Sequence, residues 1–180
     1  MEQTLLEIQD LFVEYVTDDA TVKAINGLSL HIHAGETLGL VGETGAGKTT
    51  TALSVLNLLP ERVCHIRGGS IKLDGIDIIR ASEADMRNLR GGTCSMIFQD
   101  PMTSLNPVIT VGEQIAEVLE LHHKGSKHEI QDRVDEILKL VGLLPERKHD
   151  YPHQFSGGMK QRIVVAIALA CEPKLLLADR

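Results

Sequence analysis

Eight consecutive residues, Gly42-Glu43-Thr44-Gly45-Ala46-Gly47-Lys48-Thr49, constrain this chain more than any other stretch. They follow the pattern G-x-x-x-x-G-K-[ST] and lie between two segments of different character. Before them, residues 37–41 (Thr-Leu-Gly-Leu-Val) form an apolar run next to glycine, which predicts a strand buried on both faces. After them, residues 48–59 read as a helix stopped by Pro60. A glycine-rich turn between a strand and a helix lets backbone N–H groups point inward around a polyphosphate, and the helix dipole adds positive charge. Lys48 can reach β- and γ-phosphates, and Thr49 can offer its hydroxyl to Mg²⁺. Gly42, Glu43, Thr44, Gly45, Ala46, Gly47 and Thr50 complete the expected nucleotide contacts.

Other segments place this loop in a larger frame. Residues 5–8 and 28–32 read as short strands, separated by a polar turn at 17–21. Residues 70–73 and 76–79 flank Asp74-Gly75, the signature of a tight β-hairpin. Residues 94–98 form another apolar strand. Residues 111–123 and 127–141 have helical amphipathic spacing, and Ser126 with Glu129 predicts a capping box. Residues 157–171 read as a third helix and 174–178 as a last buried strand. Strands alternating with helices point to an α/β fold with a parallel sheet.

Three further sites carry chemistry. Ser156-Gly157-Gly158 opens a helix, where a hydroxyl, two glycines and the helix dipole suit a second phosphate. One nucleotide in one chain needs only one such helix start, so the second suits a nucleotide held by a partner chain. The run Leu175-Leu176-Leu177-Ala178 ends in Asp179, a carboxylate expected to face the phosphate loop and hold Mg²⁺ through water. Gln99, ending the 94–98 strand, is a candidate for contact with the metal or the attacking water. Tyr15 is a candidate to stack on an adenine ring.

Together these residues resemble an ABC transporter ATP-binding subunit, closest to the dipeptide/oligopeptide/nickel importer branch. Residues 42–49 correspond to Walker A, Gln99 to the Q-loop, Ser156 to Arg162 to the signature motif and Asp179 to the Walker B acid. The branch likeness rests on residues 96–107 (Met-Ile-Phe-Gln-Asp-Pro-Met-Thr-Ser-Leu-Asn-Pro) and 151–159 (Tyr-Pro-His-Gln-Phe-Ser-Gly-Gly-Met). The resemblance implies an α/β P-loop NTPase of the ABC type. Its parts would be an ATP-binding core with an antiparallel β subdomain at 1–99, a helical subdomain at 100–171 and a Walker B strand at 172–180. It implies ATP and Mg²⁺ as cofactors, with Lys48, Gln99 and Asp179 catalytic. It also implies a second ATP-binding subunit in a homo- or heterodimer, and permease subunits docked through Asp100 to Gly112. An extracytoplasmic substrate-binding protein would be an indirect partner, and the location the cytoplasmic face of the membrane. The implied function is ATP-driven uptake of peptides or nickel.

Composition trims the alternatives. The formal charge is −7, and residues 1–60 hold eight acids against two bases, which disfavours a nucleic-acid partner. Gln99 and Ser156 are 57 positions apart with no sustained heptads between them, unlike the DNA-repair members of the family. No N-K-x-D guanine motif occurs. The longest apolar run, 163–171, is too short for a bilayer span, and the N-terminus lacks a signal-peptide pattern. Cys64, Cys94 and Cys171 read as reduced thiols of a cytosolic protein, forming neither a disulfide framework nor a zinc motif. His122, His123, His128, His149 and His153 read as solvated or loop residues, and Met86, Met96, Met102 and Met159 as packing residues.

One position departs from the pattern. Arg180 stands where the family carries a glutamate, and arginine cannot act as a base. The expectation is a fragment of a longer ATPase, with a short non-hydrolysing nucleotide binder as the alternative. A further expectation is that the strands ending at Val41 and Ala178 lack a bridging neighbour, leaving buried backbone groups unpaired at about 1–3 kcal/mol each. Against net stabilities of about 5–15 kcal/mol, that predicts a marginal or partly molten chain. Thermal unfolding followed by near-UV circular dichroism tests this: a cooperative transition from a native spectrum would refute it.

Overall fold

The computed structural model describes residues 3–122 and 125–179, without the side chains of Pro101 and Met102. Arg180, His123 and the packing reading of Met102 therefore lie outside it. The chain divides into two units, Met1–Arg87 and Asn88–Arg180. The expected boundary at residue 99 falls inside the second.

The first unit is built on an antiparallel sheet of order β2-β1-β3-β4: β1 Thr4–Val16, β2 Thr21–His33, β3 Cys64–Leu73 and β4 Ile76–Asp77. β1 and β2 run well beyond the short strands expected, and the polar turn lies where predicted. The buried face of β1 carries Leu6 and Ile8, then Leu11 and Val13. That change of parity requires one extra residue, and a β-bulge provides it at Asp10, whose φ is +45°. Without the bulge, Asp10 and Phe12 would take the inward positions. Across the ladder, Gly69 has φ +90°, and a Cβ there would meet the carbonyl oxygens of Asp10 and Gln9 at 2.4 and 2.5 Å. Only glycine fits. The hairpin at Asp74-Gly75 forms as expected, both residues having positive φ.

Three elements in this part differ from expectation. Residues 37–41 are not a strand. No described strand pairs with them, and Leu38, Leu40 and Val41 are 45%, 44% and 91% exposed. An apolar run becomes a buried strand only when a partner offers a ladder, so these backbone groups face solvent rather than an unpaired interior. Helix α1, Lys48–Val55, stops four residues early. Asn57 takes φ +50°, Leu58 N–H donates to the Leu53 carbonyl and Asn57 N–H to that of Ser54: a Schellman motif ends the helix before Pro60 is reached. Helix α2, Glu83–Leu89, was not expected; Ser82 and Asp85 cap it reciprocally, the Ser82 hydroxyl donating to Asp85 Oδ2 at 2.6 Å.

The second unit joins two parallel strands, β5 Cys94–Ile97 and β6 Leu175–Ala178, to helices α3 Pro101–Ser104, α4 Val111–His122, α5 Lys127–Leu140 and α6 Gly157–Leu169. β6 thus pairs with β5 on one side, and no described strand bridges it to residues 37–41. The helical core takes Val111, Ile115 and Leu119 from α4, Ile130, Val134 and Ile137 from α5 and Ile163 from α6, with Phe155. Each such side chain contributes roughly 1.5–3 kcal/mol of burial. The predicted Ser126–Glu129 capping box is present, and Thr110–Glu113 forms another at α4. Hydrogen bonds from Thr110 hold the Glu113 carboxyl below its usual range, and those from Ser126 do the same for Glu129. Among the described residues, no helix is long and apolar enough to cross a membrane.

The bulge contact separates two glycines of similar backbone. Gly69→Ala is expected to lose about 3 kcal/mol, against about 1 kcal/mol for Gly75→Ala, where φ is +82° and space is open. Urea unfolding of both variants measures the difference, and equal losses would show that the crossing is not tight.

Candidate functional site

The loop at 42–47 leads into α1, whose N-cap, Gly47, has φ +83° and supplies no side-chain hydrogen bond. A Cβ at Gly47 would stand 2.4 Å from the Ala24 carbonyl oxygen of β2, so this residue must be glycine. The Ala46 N–H donates to the Glu43 carbonyl at 3.1 Å, which tightens the turn. Residues 42–46 are exposed. Lys48 folds back over the loop: its Nζ donates to the carbonyls of Gly42 at 2.7 Å and Glu43 at 2.8 Å. The ammonium is thus held at the loop's mouth, beside a helix start without a side-chain cap. Both features favour an anion.

The threonines of α1 divide by face. Thr49 is exposed. Thr50 is buried, with its hydroxyl 3.4 Å from that of Tyr15, and Thr51 donates its hydroxyl to the Gly47 carbonyl at 2.9 Å. Tyr15 is half-buried on β1, opposite Cys64. Burial pushes the Cys64 thiol above its usual value, and the hydrogen bond from Tyr15 offsets part of that rise. Cys94, far more deeply buried, is pushed up to about 12.

In the second unit the parallel register pairs Ile97 with Ala178, and the Asp179 N–H continues the ladder to the Ile97 carbonyl at 3.0 Å. Both strands therefore end at one edge. Asp179 is the first residue past β6 and half-buried; Gln99 is two past β5 and exposed. These two predicted residues are brought together at the C-terminal edge of a parallel pair, where α/β folds place ligand contacts.

Ser156 is the N-cap of α6, its Oγ accepting the Met159 N–H at 3.4 Å. The hydroxyl still has its own proton to donate outward. Gly157 and Gly158 are exposed, and nothing lies within 4 Å of a Cβ added to either. Glycine inside a helix costs about 1 kcal/mol relative to alanine. Packing in this unit leaves room for a side chain at both positions. Sequence reasoning passed over Arg147, whose side chain lies against this helix start; a cation just upstream of the Ser-Gly-Gly sequence was its only signal.

Both the sequence and the fold match known proteins. The ABC transporter family model matches residues 25–180. The chain is 48% identical over 177 residues to the oligopeptide transport ATP-binding protein OppD of Bacillus subtilis, covering 97% of this chain and 49% of that protein. It is 47% identical over 179 residues to the dipeptide transport ATP-binding protein DppD of the same organism, covering 98% and 53%. The chain spans about half the length of the curated relatives it matches. A solved dimeric ATP-binding cassette in a post-hydrolysis state, bound to ADP and Pi, aligns with TM-score 0.85 at 26% identity, covering 98% of this chain and 74% of that one. The cbiO1 protein of Clostridium perfringens, part of the ABC transporter complex cbiONQ, gives 0.80 at 29% identity, covering 99% and 66%.

If the α6 glycines serve only a ligand, Gly158→Ala stabilises the unliganded chain by about 0.5–1 kcal/mol. Chemical denaturation measures this, and a loss of stability would assign the glycine to the fold instead.

Proposed function

Since the chain belongs to the ABC transporter family, we propose that it is the Mg-ATP-binding part of a peptide importer's ATPase subunit. One observation carries this reading: an α1 start without a side-chain cap, with the Lys48 ammonium held 2.7–2.8 Å from two loop carbonyls. Those carbonyls stand in for the phosphate oxygens that a nucleotide would present. Lys48 would exchange them for β- and γ-phosphate oxygens, and the loop amides would take the rest. Thr49 in the first unit, and Gln99 and Asp179 in the second, each carry an oxygen of the kind Mg²⁺ prefers. When bound, Mg²⁺ would neutralise phosphate charge. Tyr15 offers a ring for the adenine.

Ser156, Gly157 and Gly158 serve a nucleotide bound by a second ATP-binding subunit. Packing leaves room for a side chain at both glycines, which supports that assignment. OppD and DppD are ATP-binding proteins of oligopeptide and dipeptide transport, which favours peptides over nickel. Permease subunits would dock at Asp100 to Gly112, with the subunit peripheral on the cytoplasmic face and the substrate-binding protein reached through the permease.

Arg180 favours a second reading, nucleotide binding without turnover, because that side chain cannot accept a proton. Phosphate release separates the two readings; Mg-ATP binding tests what they share. Lys48→Ala is expected to weaken Mg-ATP binding at least tenfold, read by fluorescent-nucleotide titration. Unchanged affinity would overturn the assignment of the loop.

A further inference from the structure

The approach to α6 is organised by one side chain. Arg147 belongs to the 3-10 turn Pro145–His149. Its Nε donates to Asp150 Oδ2 at 2.8 Å and one terminal nitrogen donates to the Gln154 carbonyl at 3.0 Å. The other terminal nitrogen lies 3.6 Å from Met159 Sδ. The guanidinium carbon stands 4.1 Å from the centroid of the Phe155 ring. Asp150, Gln154 and Phe155 precede Ser156. Met159 follows it, and its N–H is the one that Ser156 Oγ accepts. A single planar fork therefore grips the chain on both sides of the Ser156 cap.

These contacts are arranged for geometry more than for stability. Phe155 is only 5% exposed and α6 buries Ile163 completely, so hydrophobic burial already anchors this region. The Arg147 and Asp150 side chains are 28% and 30% exposed, so water screens their ion pair and its contribution to stability is small. What the guanidinium adds is direction: several donors in a fixed plane, with a face stacked on an aromatic ring.

We propose that Arg147 is the positioning residue for the phosphate-binding start of α6. It orients residues 154–159 so that the Ser156 hydroxyl and the amides behind it converge on an anion held by a second ATP-binding subunit. It acts through the loop and not on the phosphate. This inference rests on the reading of that helix start as a nucleotide contact.

The test compares Arg147→Ala and Arg147→Lys with the parent chain in three measurements. These are amide hydrogen exchange at Met159, affinity for Mg-ATP, and Mg-ATP-dependent self-association by sedimentation. Arg147→Ala is expected to speed Met159 exchange and weaken association at least tenfold each, with Mg-ATP affinity within twofold of the parent. Arg147→Lys keeps charge and stem without the fork, and is expected to recover less than a third of either loss. It carries the same comparison if the alanine variant does not fold. Exchange and association both within twofold of the parent would overturn the proposal, as would a parallel fall in Mg-ATP affinity. If the parent itself does not self-associate, a second copy of this chain is not the subunit that holds the anion, and Met159 exchange alone decides whether Arg147 orients the loop.

Discussion

The amides that open a helix need acceptors, and this chain meets that need in two ways. Helices α4, α5 and α6 close their first turns with Thr110, Ser126 and Ser156. Helix α1 begins instead with a left-handed glycine that carries no side chain to contribute. That asymmetry organises the first unit. β2 must pass close to Gly47, the loop must turn within a few residues, and Lys48 must supply the local positive charge. A serine at position 47 would cap the helix and clash with the Ala24 carbonyl, so the cap-free start is enforced by packing.

Elsewhere backbone geometry decides what side chains can do. The bulge at Asp10 returns Leu11 and Val13 to the core, and Gly69 makes the crossing possible. In the second unit the parallel β5–β6 register sets the direction in which both strands end, and so brings Gln99 and Asp179 to one edge. These residues meet because of strand direction, with no direct sequence link between them.

Much of this was legible in the sequence because its causes are local. The Gly42–Thr49 pattern, the Ser126–Glu129 box, the Asp74-Gly75 turn and the α4 and α5 periodicities depend on neighbours within a few positions. The misreadings have two origins, pairing set far along the chain and local signals that compete with one another. Residues 37–41 look like a strand because apolar runs usually find partners, yet pairing is a property of the fold. Pro60 marks a helix stop in the sequence although Asn57 acts first, and the α2 start at Ser82 escapes the usual capping-box pattern because its acceptor is an aspartate. Arg147 reaches from Asp150 to Met159, and only the folded loop brings those partners to one guanidinium.

The Lys48 contacts also mean that the resting loop is self-ligated. Its own carbonyls act as an internal competitor, and any incoming molecule must displace two short, charge-assisted hydrogen bonds before it gains the lysine. A ligand with a long phosphate chain offers oxygens that replace both at once. A ligand with a single acceptor would leave one of the lysine's two bonds unreplaced, so the exchange favours an anion that presents several oxygens.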